Sequence, residues 1–197
     1  ELSGSEAMKG KAFFQMAGLP GLTTHPIRQG GAWEADEHEH AGEGGEDHDQ
    51  DEKTETKPTQ FDPHLWLDPR NAQVFVIALA ADMARRDPTH AKIYETNAAT
   101  VVNELVSLEA ELQRDLASVK AKPYIVFHDA CQYFEKRFNL AAAGSVADIS
   151  ATAPSAKRLM QVRQKVKAVN ATCAFAEPQF SPKALATVTE GAGARTA

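Results

Sequence analysis

The 197-residue chain has little cysteine, no long apolar run and no concentration of basic residues. Its two cysteines, Cys131 and Cys173, are too few for a disulfide framework and lack the spacing of a zinc ribbon. No apolar run approaches the roughly 18 to 20 residues of a membrane span, so no segment is predicted to cross a bilayer. Hydrophobic residues still make up 43% of the chain, which is enough for a packed core and excludes collagen-like and wholly disordered classes.

The negative charge is confined to one segment. Residues 34–55 hold eleven acidic side chains and one lysine, a local charge of −10 in a chain of net charge −6, which leaves +4 elsewhere. Because there is no basic patch or stripe of Lys and Arg, nucleic acid is not predicted as the main partner. Residues 34–60 contain almost no aliphatic side chain, and we predict that they form a flexible acidic loop that contains histidines.

The two ends of the chain are typical of a fragment. The chain opens on Glu1 rather than on methionine, shows no signal-peptide profile and stops shortly after a predicted helix start. We therefore expect a longer parent protein, and the lack of an export signal in this chain does not decide where that parent protein acts.

Helix signals dominate residues 69–119. Asp68 followed by Pro69 is typical of an N-cap with proline in the first turn, and apolar residues then recur at helical spacing to about Arg86. Asp87 and Pro88 repeat the start signal, and the helix that follows is predicted to run about 30 residues, or about 45 Å. A helix of that length typically braces two lobes. A shorter helix is predicted at 5–17 and an extended piece at 22–27.

From residue 124 onward, predicted strands and helices alternate. Strands are predicted at 124–127, 140–146 and 173–176, helices at 130–138 and 154–168, and a last helix is capped by Ser181 and Pro182. Units of this size predict an α/β fold with a parallel sheet that is covered on both faces. Ligands of such sheets bind beyond the carboxyl ends of the strands, and His128 directly follows the first strand.

Two histidines are candidate functional residues. His64 lies just before a helix start and is either a ligand or a side chain packed beside Trp66. His128 is either a metal ligand whose second ring nitrogen is oriented by a neighbour, or a general base. For the adjacent Asp129, an N-cap of the next helix is the favoured role. The spacing of the two histidines does not decide whether they converge.

Four motifs in the same order resemble those of the zinc-specific solute-binding proteins of bacterial ABC importers, the metal-binding cluster A-I family. They are PHLWLDP at 63–69, YETNA at 94–98, VFHDA at 126–130 with Tyr133 and Phe134 after it, and FAEPQF at 175–180. The resemblance implies two Rossmann-like lobes with parallel sheets, joined by one long rigid helix, both incomplete in this chain. It assigns 1–33 to the end of the N-terminal lobe, 34–60 to the acidic loop, 61–86 to the last part of that lobe, 87–120 to the connecting helix and 121–197 to a truncated C-terminal lobe.

The resemblance also implies a function. It predicts a monomeric protein, periplasmic or lipid-anchored, that captures Zn²⁺ and delivers it to an ABC permease with its ATPase, without catalysis. His64 and His128 correspond to the metal ligands of the two lobes, and the remaining ligands lie outside this chain. Manganese- and iron-binding relatives typically carry a carboxylate at the position of His128, so an imidazole there favours zinc. Since the ligand form of imidazole is deprotonated, zinc affinity is predicted to fall as the pH drops through about 6.5.

The acidic loop fits the resemblance, because zinc-specific members often carry a His- and acid-rich insertion before the first motif. Here the insertion holds His38, His40 and His48. These histidines either capture Zn²⁺ weakly and pass it on, or belong to a solvated linker whose charges repel one another. Composition does not select one of the two.

Other residues are given lesser roles by the resemblance. Cys173 corresponds to a cysteine that pairs with one nearer the C-terminus in zinc-specific members, and Cys131 is not expected to replace that partner. His25 and His90 are not expected to be ligands. The family's counterpart of Glu177 is not a direct ligand, so a hydrogen-bonding role at the domain edge is predicted for it.

Two alternative functions remain. One is a manganese or iron carrier of the same family. The other is a zinc-dependent hydrolase in which His64 and His128 hold the metal and Glu177 or Asp129 activates water. The sequence contains no HExxH motif that would support the hydrolase.

Overall fold

The computed structural model describes residues 13–29, 31–33, 61–147, 149, 151 and 153–197, and the chain divides into two compact units. Unit 1 is built from residues 1–24 and 63–117, and unit 2 from residues 25–62 and 118–197. Contacts therefore group residues 25–33 with unit 2, whereas the resemblance assigns them to the N-terminal lobe. The predicted acidic loop at 34–60, with His38, His40 and His48, lies outside the described residues.

Helix α1 of unit 1 spans Pro69–Arg86, as predicted. The side chain of its N-cap, Asp68, accepts a hydrogen bond from the backbone N–H of Arg70 at 2.9 Å. Buried Asn71 then ties the helix to the preceding chain, because its Nδ2 donates to the carbonyl oxygens of Thr23 and Leu65 at 2.9 and 3.1 Å. The start of α1 is thus set by side-chain hydrogen bonds that satisfy backbone groups.

Helix α2 spans Ala91–Asp115 and packs against α1. It has 25 residues, fewer than predicted, because 3₁₀ turns at Pro88–His90 and Leu116–Ser118 replace its expected ends. At the first end, the Asp87 carboxylate contacts the ring of His90 and accepts from the Tyr94 hydroxyl, so it does not cap the backbone. No residue of α2 is buried.

The predicted helix at 5–17 is not present in the part of it that is described. Phe13–Met16 are irregular and residues 17–18 form a turn, with Gly18 at φ 88°. The turn is placed at Gly18 because glycine adopts this left-handed conformation without strain. The predicted extended piece at 22–27 contains one antiparallel bridge, between Pro26 and Phe61. No helix among the described residues is long and apolar enough to cross a membrane.

Unit 2 contains the parallel sheet that the alternation predicts. Its strands are β1 Tyr124–Val126, β2 Ala142–Ser145, β3 Cys173–Ala174 and β4 Arg195–Thr196, in the order β2-β1-β3-β4. All three pairings are parallel. The strands are shorter than predicted, and β4 was not predicted because two exposed residues carry no apolar pattern.

The helices of unit 2 are α3 Gln132–Phe138, α4 Ala156–Ala168 and α5 Pro182–Thr189. Ser155 and Ser181 cap α4 and α5 by accepting backbone hydrogen bonds. The sheet and helices enclose one apolar core of buried residues: Ile125, Phe127, Val146, Ala147, Val162, Val166, Ala171, Ala174, Leu185 and Val188. Because β1 and β3 are adjacent and parallel, the segments that leave their carboxyl ends lie side by side.

Candidate functional site

His128 and Glu177 form a hydrogen-bonded contact beyond the carboxyl ends of β1 and β3. The Nδ1 atom of His128 lies 2.6 Å from Oε1 and 2.8 Å from Oε2 of Glu177, and the backbone N–H of His128 donates to Oε1 at 3.1 Å. Both side chains are largely buried, at 18% and 23% exposure. Since a carboxylate is an acceptor, this contact favours the tautomer with the proton on Nδ1 and the lone pair on Nε2.

The surroundings of this pair restrict its movement. The Nε2 of Gln179 donates to Oε2 of Glu177 at 2.7 Å. The ring of Phe180 lies 6.0 Å from the His128 ring and stacks on Phe127 at 4.3 Å. The FAEPQF motif thus supplies the carboxylate, an amide that orients it and an aromatic wall. A hydrogen-bonding role for Glu177 was predicted, but its partner was not.

Asp129 does not have the predicted role. The N-cap of α3 is Cys131, which makes no side-chain capping bond. The Asp129 carboxylate instead binds the guanidinium of Arg28, whose Nε donates to Oδ2 at 3.0 Å and whose Nη2 donates to Oδ1. The N-cap prediction was wrong because a long-range ion pair competes for the carboxylate. The residue that orients the His128 ring is Glu177 and not its neighbour in sequence.

Arg28 also binds Glu135, through Nη1 and Oε2 at 2.6 Å. Burial lowers the pKa of Arg28, but the hydrogen bond to Asp129 and the charge of Glu135 outweigh it and raise the value overall. Burial raises the pKa of Glu135, against the opposing charge of Arg28. Burial and the charge of Glu135 raise the pKa of the nearby Cys131 thiol to about 11, so this thiol is unreactive at neutral pH. No sequence pattern identified Arg28 as a functional residue, because it belongs to no motif and lies among residues typical of turns.

His64 is the candidate ligand of unit 1. It directly precedes a 3₁₀ turn at Leu65–Leu67, and its carbonyl oxygen accepts from the N–H of Leu67 at 3.1 Å. Its half-buried ring contacts Trp66 edge-on, with centroids 5.5 Å apart, and Trp66 is 57% exposed. This position does not decide between the two roles considered for His64.

The remaining described histidines and cysteines have other surroundings. The ring of His25 lies 4.9 Å from that of Tyr133, and exposed His90 contacts Asp87. Cys131 and Cys173 are free thiols. In the described part of the chain, no three His, Cys, Asp or Glu side chains group so as to hold a metal ion. Each unit supplies one candidate imidazole, His64 in unit 1 and His128 in unit 2.

Comparison with known proteins agrees with the motifs. The family model described as zinc-uptake complex component A, periplasmic, matches residues 6–197. The high-affinity zinc uptake system protein ZnuA of Brucella abortus is 46% identical over 137 residues, which cover 70% of this chain and 41% of the relative. The chain thus spans about two fifths of the length of that curated relative.

Solved structures show the same likeness. A crystal structure of ZnuA is 33% identical with a TM-score of 0.61, over 69% of this chain and 52% of that chain. The laminin binding protein Lmb of Streptococcus agalactiae, described as a bifunctional protein with adhesin and metal transporting activity, is 29% identical with a TM-score of 0.64, over 70% of this chain and 53% of its own. Together with the family match, these likenesses confirm the α/β fold of two-lobed solute-binding proteins. The chain belongs to the family of periplasmic zinc-uptake complex component A.

Proposed function

We propose that the protein captures Zn²⁺ in the periplasm and delivers it to an ABC permease with its ATPase, without chemistry on the metal. Membership in a zinc-uptake family supports this proposal, and that family is a class of transport proteins rather than of enzymes. The observation that carries the proposal for this chain is the contact between His128 and Glu177.

A carboxylate on one ring nitrogen of histidine is the arrangement that prepares the other nitrogen for a metal. It fixes the tautomer, orients the ring and raises the basicity of the ligand. In this chain the Glu177 carboxylate accepts hydrogen bonds from both the ring Nδ1 and the backbone N–H of His128. It therefore orients the ring and the loop together. We assign His128 as a zinc ligand through Nε2 and Glu177 as the group that orients it.

His64 is assigned as the second zinc ligand from this chain. Imidazole is a borderline ligand that suits Zn²⁺, whereas Mn²⁺ prefers oxygen donors. A tetrahedral zinc site has about four donors, so further ligands come from other residues of the protein. A competition titration of the full-length protein tests the metal: Zn²⁺ should displace bound Mn²⁺ at equal concentration. Displacement of Zn²⁺ by Mn²⁺ would support the manganese carrier instead.

Replacing Glu177 by glutamine tests the orienting carboxylate. Glu177→Gln keeps the size of the side chain but removes its charge, and we expect zinc affinity to fall about 10- to 100-fold, the usual effect of losing a group that orients a ligand. The measurement is competition with a chromophoric zinc chelator at fixed pH. Glu190→Gln, at an exposed glutamate of the same unit, is the control. Unchanged affinity in Glu177→Gln would contradict the assignment, and ester or peptide turnover that this change abolishes would support the hydrolase.

Deleting residues 36–57 tests whether the acidic loop contributes to the high-affinity zinc site. We propose that His38, His40 and His48 bind Zn²⁺ weakly, so the deletion should leave tight binding within about twofold and remove only weak additional sites. The deletion spares residues 25–33 and 61–62, which are part of unit 2. Isothermal titration calorimetry of both proteins measures the number of weak sites and the tight affinity. Loss of tight binding would show that the loop supplies a primary ligand.

A further inference from the structure

Arg28 is the centre of a buried charged cluster within unit 2. Its side chain is 17% exposed and binds two carboxylates, Asp129 and Glu135, which are 2% and 3% exposed. The Cζ atom of the guanidinium also lies 3.4 Å from the centre of the Trp33 ring. The two-pronged contact with Asp129 fixes that carboxylate in the plane of the guanidinium, a geometry that a lysine cannot reproduce.

This cluster adjoins the turn that carries His128. The N–H of Ala130 donates to the carbonyl oxygen of His128 at 2.9 Å, which closes a tight turn around Asp129. Glu177 holds the turn through the ring and the N–H of His128, and Arg28 holds it through Asp129. Two independent anchors of one short turn restrict both its position and its rotation.

Arg28 belongs to a segment that is fastened to unit 2 at several points. We call residues 25–29, 31–33 and 61–62 the stem, since they flank residues 34–60 on either side. The hydroxyl of buried Tyr133 accepts from the N–H of His25 at 3.1 Å and donates to the carbonyl oxygen of Asp62 at 2.8 Å, which joins the two sides of the stem. Nη2 of buried Arg158 donates to the carbonyl oxygen of Ala32 at 2.6 Å. Arg28 therefore lies on a segment that is itself anchored to the rest of unit 2.

We propose that Arg28 is a positioning residue for zinc binding: by holding Asp129, it sets the turn so that His128 keeps its contact with Glu177 and directs Nε2 to the metal. The inference rests on the proposed function, in which His128 is a zinc ligand. It gives the stem a part in zinc binding that does not depend on the histidines of the acidic loop. Arg28 itself is a cation and does not touch the metal.

The test compares Arg28→Gln with Arg28→Lys in the full-length protein. Arg28→Gln removes the charge and the two-pronged contact, and we expect zinc affinity to fall about 10- to 100-fold. Arg28→Lys keeps the charge without the planar fork, so an intermediate loss is expected. Arg163→Gln is the matched control, because Arg163 makes an exposed ion pair with Glu190 in the same unit and should leave the affinity unchanged. Affinity is measured by competition with a chromophoric chelator.

Two further measurements separate positioning from general stability. The ¹⁵N signals of the His128 ring in the metal-free protein should report a single tautomer in the parent and averaged tautomers in Arg28→Gln. A neutral variant, Arg28→Met with Asp129→Asn and Glu135→Gln, avoids leaving buried charges without a partner, so it should fold even where Arg28→Gln does not. It should still bind zinc more weakly than the parent protein.

The outcomes distinguish this inference from the proposed function. If His128→Ala weakens zinc binding but the Arg28 variants keep the parent affinity and the parent ring signals, Arg28 has no positioning role. If His128→Ala itself leaves the affinity unchanged, the ligand assignment fails first. A loss of affinity without any change at the His128 ring would also overturn the inference.

Discussion

Replacing His128 or His64 by alanine in the full-length protein should weaken zinc binding by more than about 100-fold, beyond the range that is usual for groups that merely orient a ligand. Each change removes one of about four donors, and at His128 it also leaves the Glu177 carboxylate without its imidazole partner. Affinity is measured by competition with a chelator whose own zinc affinity brackets the expected range.

His90→Ala is the matched control for these two variants. His90 is an exposed histidine of unit 1 that contacts Asp87, so its removal should leave zinc affinity unchanged. Parent-like affinity in both His64→Ala and His128→Ala would refute the carrier proposal as made for this chain. A loss of zinc affinity in only one of the two variants would restrict the ligand assignment to the histidine that this variant replaces.

Gly144→Ala should destabilise the protein by about 1 to 3 kcal/mol, the usual effect of forcing an additional carbon into a packed interior. A Cβ atom at Gly144 in strand β2 would lie 2.6 Å from the Cβ of Ala32 and 3.0 Å from its carbonyl oxygen. Ala32 is a buried residue of the stem, so the clash falls where the stem packs on the sheet. Urea unfolding followed by circular dichroism measures the change in the free energy of unfolding.

A second substitution tests the cause of that loss. Ala32→Gly removes the atom that the new Cβ meets, so the double variant should recover part of the stability lost in Gly144→Ala. A coupling free energy of about 0.5 kcal/mol or more is expected for residues in contact. Strict additivity of the two changes would show that the stem does not pack on β2 in solution.

Local patterns predicted most of the secondary structure, because helix caps and apolar periodicity depend on residues that are close together in the sequence. Asp68 and Pro69 specified the start of α1, and Ser181 with Pro182 specified that of α5. The alternation of strands and helices after residue 124 predicted the parallel sheet, since connections of that length favour parallel pairing. The end of α2 was misplaced because the spacing of apolar residues does not distinguish an α-helix from a terminal 3₁₀ turn.

The contacts within the candidate site could not be predicted from local sequence patterns. Glu177 lies 49 residues beyond His128, and Arg28 lies 101 residues before Asp129, so no local periodicity relates either pair. The tendency of carboxyl ends of adjacent parallel strands to meet at one edge is the signal that could have joined His128 to Glu177. Nothing comparable marks Arg28, because it does not lie on or directly after any strand of the parallel sheet.

The anchoring of the stem has a consequence for biosynthesis. The residues that receive Arg28 and Ala32 are made 101 and 126 positions later, so the stem leaves the ribosome long before its binding surface exists. At about 5 to 20 residues per second, that delay amounts to several seconds or more. The α1 and α2 hairpin, whose contacts are local, can form during the interval. Unit 2 therefore cannot complete its four-stranded sheet until strands β3 and β4 have been made.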